Sequence, residues 1–244
     1  MSEALVVNEI YLSLQGESTF AGLPCVFIRM TACNLRCSYC DTAYAFKEGR
    51  RMDIAMILEA VQDHASKYKR DHLGHKLPFV ELTGGEPLLQ RNSLPLMRAL
   101  CDGGFTVLIE TSGALDISEV DSRVRRIMDL KCPSSGECER NRYENIQHLR
   151  AADEVKFVIG TREDYDWAKE QMERFRLNDV CPVLFSWVSP LKPEQQDKSL
   201  KAVPAGQHAI SRLELVESII ADALPVRFQL QMHKFIWQPE QRGV

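Results

Sequence analysis

Short runs of β-branched and aromatic residues alternate with amphipathic stretches along almost the whole chain, and this alternation limits the fold more than any other feature. Strands are predicted over residues 25–30, 78–83, 106–110, 126–130, 154–159, 182–187 and 226–232, with an extra one within 5–14. A helix capped by Asp53 is predicted to run to about residue 68, with Ile54, Ile57, Leu58 and Val61 on one face. Residues 93–100, 141–150, 164–176 and 211–223 read the same way. Strands separated by helices need crossover connections, which give a mainly parallel sheet. The expected fold is therefore α/β: an incomplete, TIM-type β/α barrel of about six parallel strands with the helices outside. Residues 132–144 and 189–206 are rich in Pro, Ser, Gly or charge and are expected as loops. No shift in composition marks a boundary, so one domain over residues 1–244 is expected.

Composition removes several function classes. The 244 residues are 45% hydrophobic and 26% charged, enough for a core and unlike a disordered chain. The 30 Lys+Arg against 34 Asp+Glu leave a formal charge of −4, so bulk electrostatics offers no reason to bind nucleic acid. No apolar run reaches the ~20 residues of a membrane helix. The opening residues Met1, Ser2, Glu3 and Ala4 lack the basic region of a signal peptide. A soluble cytoplasmic protein without a membrane partner is expected.

The unusual residues gather at one place in the pattern. Thr83, Gly84, Gly85, Glu86 and Pro87 follow one predicted strand, and Glu110, Thr111, Ser112 and Gly113 follow the next. Lys131, Cys132, Pro133, Ser134 and Ser135 follow a third; Lys156 lies in a fourth and Ser186 near the end of a fifth. In parallel barrels the carboxyl ends of the strands form the active-site mouth.

Cys33, Cys37 and Cys40, three of the eight cysteines, follow the strand over 25–30 with the spacing C-x3-C-x2-C. A cytosolic disulfide framework is not expected. Thiolates this close on a loop can wrap one metal centre. Structural zinc takes four protein ligands and iron–sulfur clusters usually take four cysteines. Three local thiolates suggest a cluster with one iron open to a small molecule, against a zinc knuckle completed from afar or plain reduced cysteines. Cys25, Cys101 and Cys181 lie in apolar runs and read as core residues, and Cys132 with Cys138 is too few for a second cluster.

The cysteine spacing, with Gly84, Gly85, Glu86 and Pro87, resembles the radical S-adenosylmethionine enzymes over about residues 10–230. Within that superfamily the chain resembles the 7-carboxy-7-deazaguanine synthase family. The likeness rests on Ser13 to Ser18 (SLQGES), Gly22-Leu23-Pro24, Phe27-Ile28-Arg29, Asp41-Thr42 after the third cysteine, and Leu230 to Trp237 (LQMHKFIW). It implies a [4Fe–4S] cluster on Cys33, Cys37 and Cys40, with S-adenosylmethionine on its open iron. It implies a 5′-deoxyadenosyl radical that converts 6-carboxy-5,6,7,8-tetrahydropterin to 7-carboxy-7-deazaguanine and ammonia, a carbon–nitrogen lyase step towards queuosine. The hydrogen is returned, so the cofactor is reused. A one-electron donor such as flavodoxin or ferredoxin and a homodimer belong to the same expectation.

The resemblance also assigns residues. Gln15, Gly16, Glu17, Arg29, Thr83 and Pro239 would bind substrate. Arg29 suits its carboxylate, since guanidinium pairs with it bidentately. The donor and acceptor of Gln15 and the carboxylate of Glu17 suit a pterin edge, and Gly16 allows close approach. Gly85, Glu86, Ser112, Cys132, Pro133, Ser134 and Ser186 would hold S-adenosylmethionine, with Lys156 a weaker candidate that could instead pair with Glu154 or Glu110. Thr42 would bind Mg²⁺, which takes oxygen donors and few protein ligands. His233 reads as structural or catalytic. Two other functions compete: a glycyl-radical-enzyme activase, disfavoured by the Gln15-Gly16-Glu17 and Asp41-Thr42 segments, and a non-catalytic zinc or cluster scaffold, which leaves the glycine–glutamate motif unexplained.

Overall fold

A computed structural model describes residues 4–192, 195–238 and 241–244. Its strands are β1 (Ala4–Leu14), β2 (Pro24–Met30), β3 (Arg50–Asp53), β4 (Lys76–Gly84), β5 (Phe105–Thr111), β6 (Arg125–Asp129), β7 (Glu154–Ile159), β8 (Val183–Trp187) and β9 (Arg227–Gln229). They form one nine-stranded sheet in the order β3-β1-β2-β4-β5-β6-β7-β8-β9. From β2 through β4 to β9 every pairing is parallel, while β1 runs antiparallel to β2 and to β3. The sheet ends on β3 and β9 and does not close, so the expected partial barrel is what forms, with seven parallel strands where about six were expected.

Helices α1 (Ile54–Ala65), α2 (Ser93–Asp102), α3 (Arg162–Phe175) and α4 (Arg212–Ala221) pack on the outer face. Ile57 and Val61 of α1, Leu96 and Leu100 of α2, Tyr165 and Met172 of α3 and Leu215 of α4 meet Val26, Ile28, Leu82, Ile109, Val155 and Phe185 in one apolar core. Alternate strand residues face inward, as the two-residue period requires. There a second, smaller cluster of Cys25, Phe79, Leu108 and Ile127 closes the amino-terminal end of the barrel. Beyond it the inner face turns charged.

Three local expectations differ from the fold. Residues 141–150 form only a 3-10 turn, Tyr143–His148, not an α-helix. Their apolar residues Tyr143, Ile146 and Leu149 recur every three positions, the 3-10 period. The last strand stops at Gln229, and His233–Ile236 turn into a short helix, α5. Asp53 does precede α1, but its side chain makes no capping bond.

Candidate active site

The carboxyl ends of the parallel strands surround a cavity of about 380 Å³. Cys33, Cys37, Cys40 and Thr42, on the loop after β2, line it. That loop starts in a left-handed turn at Ala32 (φ 77°) and is pinned by the end of β4. Gly85 N donates to Met30 O at 3.1 Å and Glu86 N to Ala32 O at 2.9 Å. A Cβ on Gly85 would collide with the Ala32 carbonyl and crowd Cys33. The double glycine is thus what lets β4 lie against the cysteine loop.

Glu86 does not reach the cavity. It is fully buried, and its carboxylate accepts from Leu88 N, Thr111 Oγ1, Ser112 N and Ser112 Oγ. It ties the end of β5 to the glycine turn and so holds Gly85 and Ser112 at the cavity wall, a place from which it can orient a cofactor. Gly85 and Ser112 do line the cavity.

The turn over residues 132–135 lies behind the cysteine loop: Ser38 N donates to Ser135 O at 3.0 Å and Ser38 Oγ to Ser134 O at 2.7 Å. Cys132, Pro133, Ser134 and Ser186 are therefore next to the mouth without lining it. Ser134 Oγ and Ser186 Oγ are buried and have no hydrogen-bond partner among the described residues. Buried hydroxyls of that kind fit the approach of a polar group. Lys201, in the loop expected over 189–206, packs here too, its N on Arg36 O at 2.9 Å and its ammonium on Glu137 at 2.9 Å, while residues 193 and 194 of that loop lie outside the described residues.

The three thiols fit an iron–sulfur cluster by their chemistry: all are free, all face one cavity, and each has a charged neighbour. Burial pushes all three up, Cys37 to about 11, while the Lys131 ammonium pulls Cys33 and Cys37 back and Asp41 adds to the rise at Cys40. Loading a metal must release those protons.

On the substrate side, Arg29 is held in place from three directions. Its Nε donates to Glu9 at 2.7 Å, its Nη2 to the Tyr11 hydroxyl at 2.6 Å, and the guanidinium lies over the Tyr44 ring. Tyr44 Oη also donates to Glu9, at 2.9 Å. Nη1 makes no hydrogen bond among the described residues and the side chain lines the cavity. Thr83, its register partner on β4, donates from Oγ1 to Glu110 at 3.1 Å.

Gln15 is 2% exposed and already committed: Oε1 accepts from Glu17 N and Ser18 N, and Nε2 donates to Glu81 at 3.2 Å. Gly16, Glu17, Thr83 and Lys156 line the cavity with it. Lys156, 2% exposed, pairs with Glu110, with Glu17 at 3.1 Å and with Asp129 at 3.8 Å. Glu154, the other partner considered for it, instead accepts from Thr19. Burial alone would raise Glu17; the Lys156 ammonium and the His233 ring outweigh it and hold the carboxyl down at about 2.

His233 and Lys234 start α5 and close the mouth over Asp41, the lysine at 2.8 Å and the histidine at 3.8 Å. Burial pulls His233 down, but the carboxylates of Asp41 and Glu17 outweigh it and raise it above an ordinary histidine. Gln238 and residues 241–244 also line the cavity, while Pro239 lies outside the described residues.

Sequence reasoning did not single out Glu9, Tyr11, Tyr44, Glu81 or Asp129 as site residues. A signal was there: Glu81, Asp129 and Lys156 each stand between apolar neighbours, on the alternate face.

A family model described as the radical SAM superfamily matches residues 27–188. The 7-carboxy-7-deazaguanine synthase of Koribacter versatilis is 43% identical over 98% of this chain and 99% of its own length. That of Chlorobaculum tepidum is 41% identical over 98% and 97%. Among solved structures, the crystal structure of QueE from Escherichia coli superimposes with a TM-score of 0.68 at 23% identity, covering 94% of this chain and 95% of that one.

Proposed function

The chain belongs to the radical SAM superfamily and, within it, to the 7-carboxy-7-deazaguanine synthases, and on that premise we propose how one domain, spanning residues 1–244, carries the activity. The enzyme is a lyase that converts 6-carboxy-5,6,7,8-tetrahydropterin to 7-carboxy-7-deazaguanine and ammonia for queuosine biosynthesis. The observation that carries this reading is the shared cavity: three free thiols on one side, and Arg29 with the Glu17–Lys156–Glu110 group on the other.

Cys33, Cys37 and Cys40 would hold a [4Fe–4S] cluster. Cluster and S-adenosylmethionine together supply a carbon-centred radical, made with one electron from a flavodoxin- or ferredoxin-type donor. Gly85 and Ser112 at the cavity wall, with Cys132, Pro133, Ser134 and Ser186 behind it, would bind that cofactor. Ser134 and Ser186 bring the unpartnered hydroxyls.

Arg29 binds the substrate carboxylate. Glu9, Tyr11 and Tyr44 fix the guanidinium, so little freedom is lost on binding. Gly16, Glu17 and Thr83 frame the ring system, and Pro239 is proposed with them. Lys156 orients Glu17 and Glu110 and holds the Glu17 carboxyl ionised. Both then present acceptor oxygens to N–H groups of the bound ring system. Thr42 would ligate a Mg²⁺ shared with the substrate carboxylate; its Oγ1 is 3.8 Å from Cys40 Sγ at the cavity edge. A homodimer in the cytoplasm is proposed; Leu213, Ile220, Phe235 and Ile236 are apolar side chains left more than half exposed.

The test is anaerobic turnover of the reconstituted enzyme with tetrahydropterin substrate, S-adenosylmethionine and a reductant. Product with the mass of 7-carboxy-7-deazaguanine is expected. Cleavage of S-adenosylmethionine without that product would remove the substrate assignment.

A further inference from the structure

Glu81 sits on the inner face of β4, two residues below Thr83, and lines the floor of the cavity. It is 1% exposed, yet no cation lies within hydrogen-bond reach of it among the described residues. Gln15 Nε2 donates to Oε2 at 3.2 Å, and Oε1 takes no bond among the described residues. The groups around it are Glu110 on β5, Lys156 on β7, Glu17 after β1, Tyr11 on β1 and Cys25 on β2. Lys156, the one cation of that group, is already shared among Glu17, Glu110 and Asp129. An ionised carboxylate in this setting would be an uncompensated buried charge next to the Glu110 carboxylate.

We infer that Glu81 is a specificity-determining residue, a neutral carboxylic acid that reads the amide-like edge of the bound bicycle. The inference rests on the substrate proposed above. A neutral carboxylic acid carries one donor and one acceptor side by side. The pyrimidinone edge of a pterin presents the complementary pair, a ring N–H beside a carbonyl. The spacing agrees: residues two apart on a strand are about 7 Å apart, which spans a fused bicycle from its carboxylate at the Arg29–Thr83 level to its far edge. Gln15, with both ends of its side chain used inside the chain, is the strut that aims Glu81. Burial, then the charge of Glu110, pushes Glu81 up to about 8; the Gln15 amide and Lys156 pull it back only in part. The acid is thus neutral at neutral pH and loses its proton just above it.

The experiment is a fluorescence titration of 6-carboxypterin, the oxidised form of the proposed substrate. The reconstituted enzyme is used with S-adenosylmethionine and no reductant, for wild type, E81Q and E81L across pH. Gln keeps a donor and an acceptor and does not titrate. Relative to E81Q, wild-type affinity should fall about tenfold between about pH 6.5 and about pH 9, the fraction of a group near pH 8 that stays protonated. The comparison cancels the titration of the ligand and of His233, which both proteins share. E81L should lose about tenfold in affinity already at about pH 6.5 while melting no lower than wild type. A wild-type to E81Q ratio that does not change with pH overturns the inference, and so does full affinity in E81L. Turnover of the tetrahydropterin by wild type is followed alongside. Product with a pH-independent ratio removes Glu81 and keeps the substrate, whereas neither product nor binding removes both.

Discussion

Glu81 and Leu82 are neighbours on one strand, and they belong to two different regions of the molecule. Leu82 faces outward into the core shared by the sheet and helices, with Ile28, Leu96 and Ile109. Glu81 faces inward, among Gln15, Glu110 and Lys156. The same split runs along the sheet, with Ile28 outside and Arg29 inside on β2, and Phe157 outside and Lys156 inside on β7. The outer face is apolar and gains its stability from burial. The inner face is built of carboxylates and cations whose burial is expensive unless they are paired. One set of strands therefore serves as the scaffold on one side and holds the chemistry on the other.

The comparison breaks most sharply at the rim. Cys37→Ala should abolish both the brown chromophore and turnover, read by visible absorption after anaerobic reconstitution. Cys181→Ala, at a buried core cysteine, should keep both. Leu82→Ala should cost about 2–5 kcal/mol of stability, measured by denaturant unfolding, and leave KM unchanged, because the outer face touches no ligand. Acid should weaken the inner face first through Glu17. Its folded value of about 2 lies below its ordinary 4.5, so its contribution is present above about pH 4.5 and is lost as pH falls towards 2. That contribution is ~3 kcal/mol at most, read as the drop in unfolding free energy that Glu17→Gln does not show. Thr42→Ala should remove the dependence of turnover on added Mg²⁺, up to ~10²-fold, and Thr42→Ser should retain it, followed as rate after chelation and readdition.

The scaffold was more legible in the sequence than the site. Strands β2 and β4 to β8 were readable within about two residues because each is a short apolar run bounded by turn residues. β3 was not, since Arg50, Arg51, Met52 and Asp53 bury only Met52 and become a strand by pairing with β1. The cysteines were legible because their ligand spacing is local. The support of Arg29 was not: Glu9, Tyr11 and Tyr44 reach it from β1 and the turn after the cysteines, and sequence spacing does not encode that meeting. Glu86 shows the opposite case. Its motif was legible, but only the fold reveals that its carboxylate is spent on Thr111 and Ser112.

The division between the faces is tested most directly on β2, where Ile28 and Arg29 are adjacent. Unfolding free energy and kcat/KM for the tetrahydropterin would be measured on Ile28→Ala and Arg29→Lys. Ile28→Ala should lose about 2–5 kcal/mol of stability with kcat/KM near wild type. Arg29→Lys keeps the charge beside Glu9 but loses the planar fork, so kcat/KM should fall at least about tenfold with stability within about 1 kcal/mol of wild type. Equal losses of stability and of kcat/KM in both variants would contradict the account.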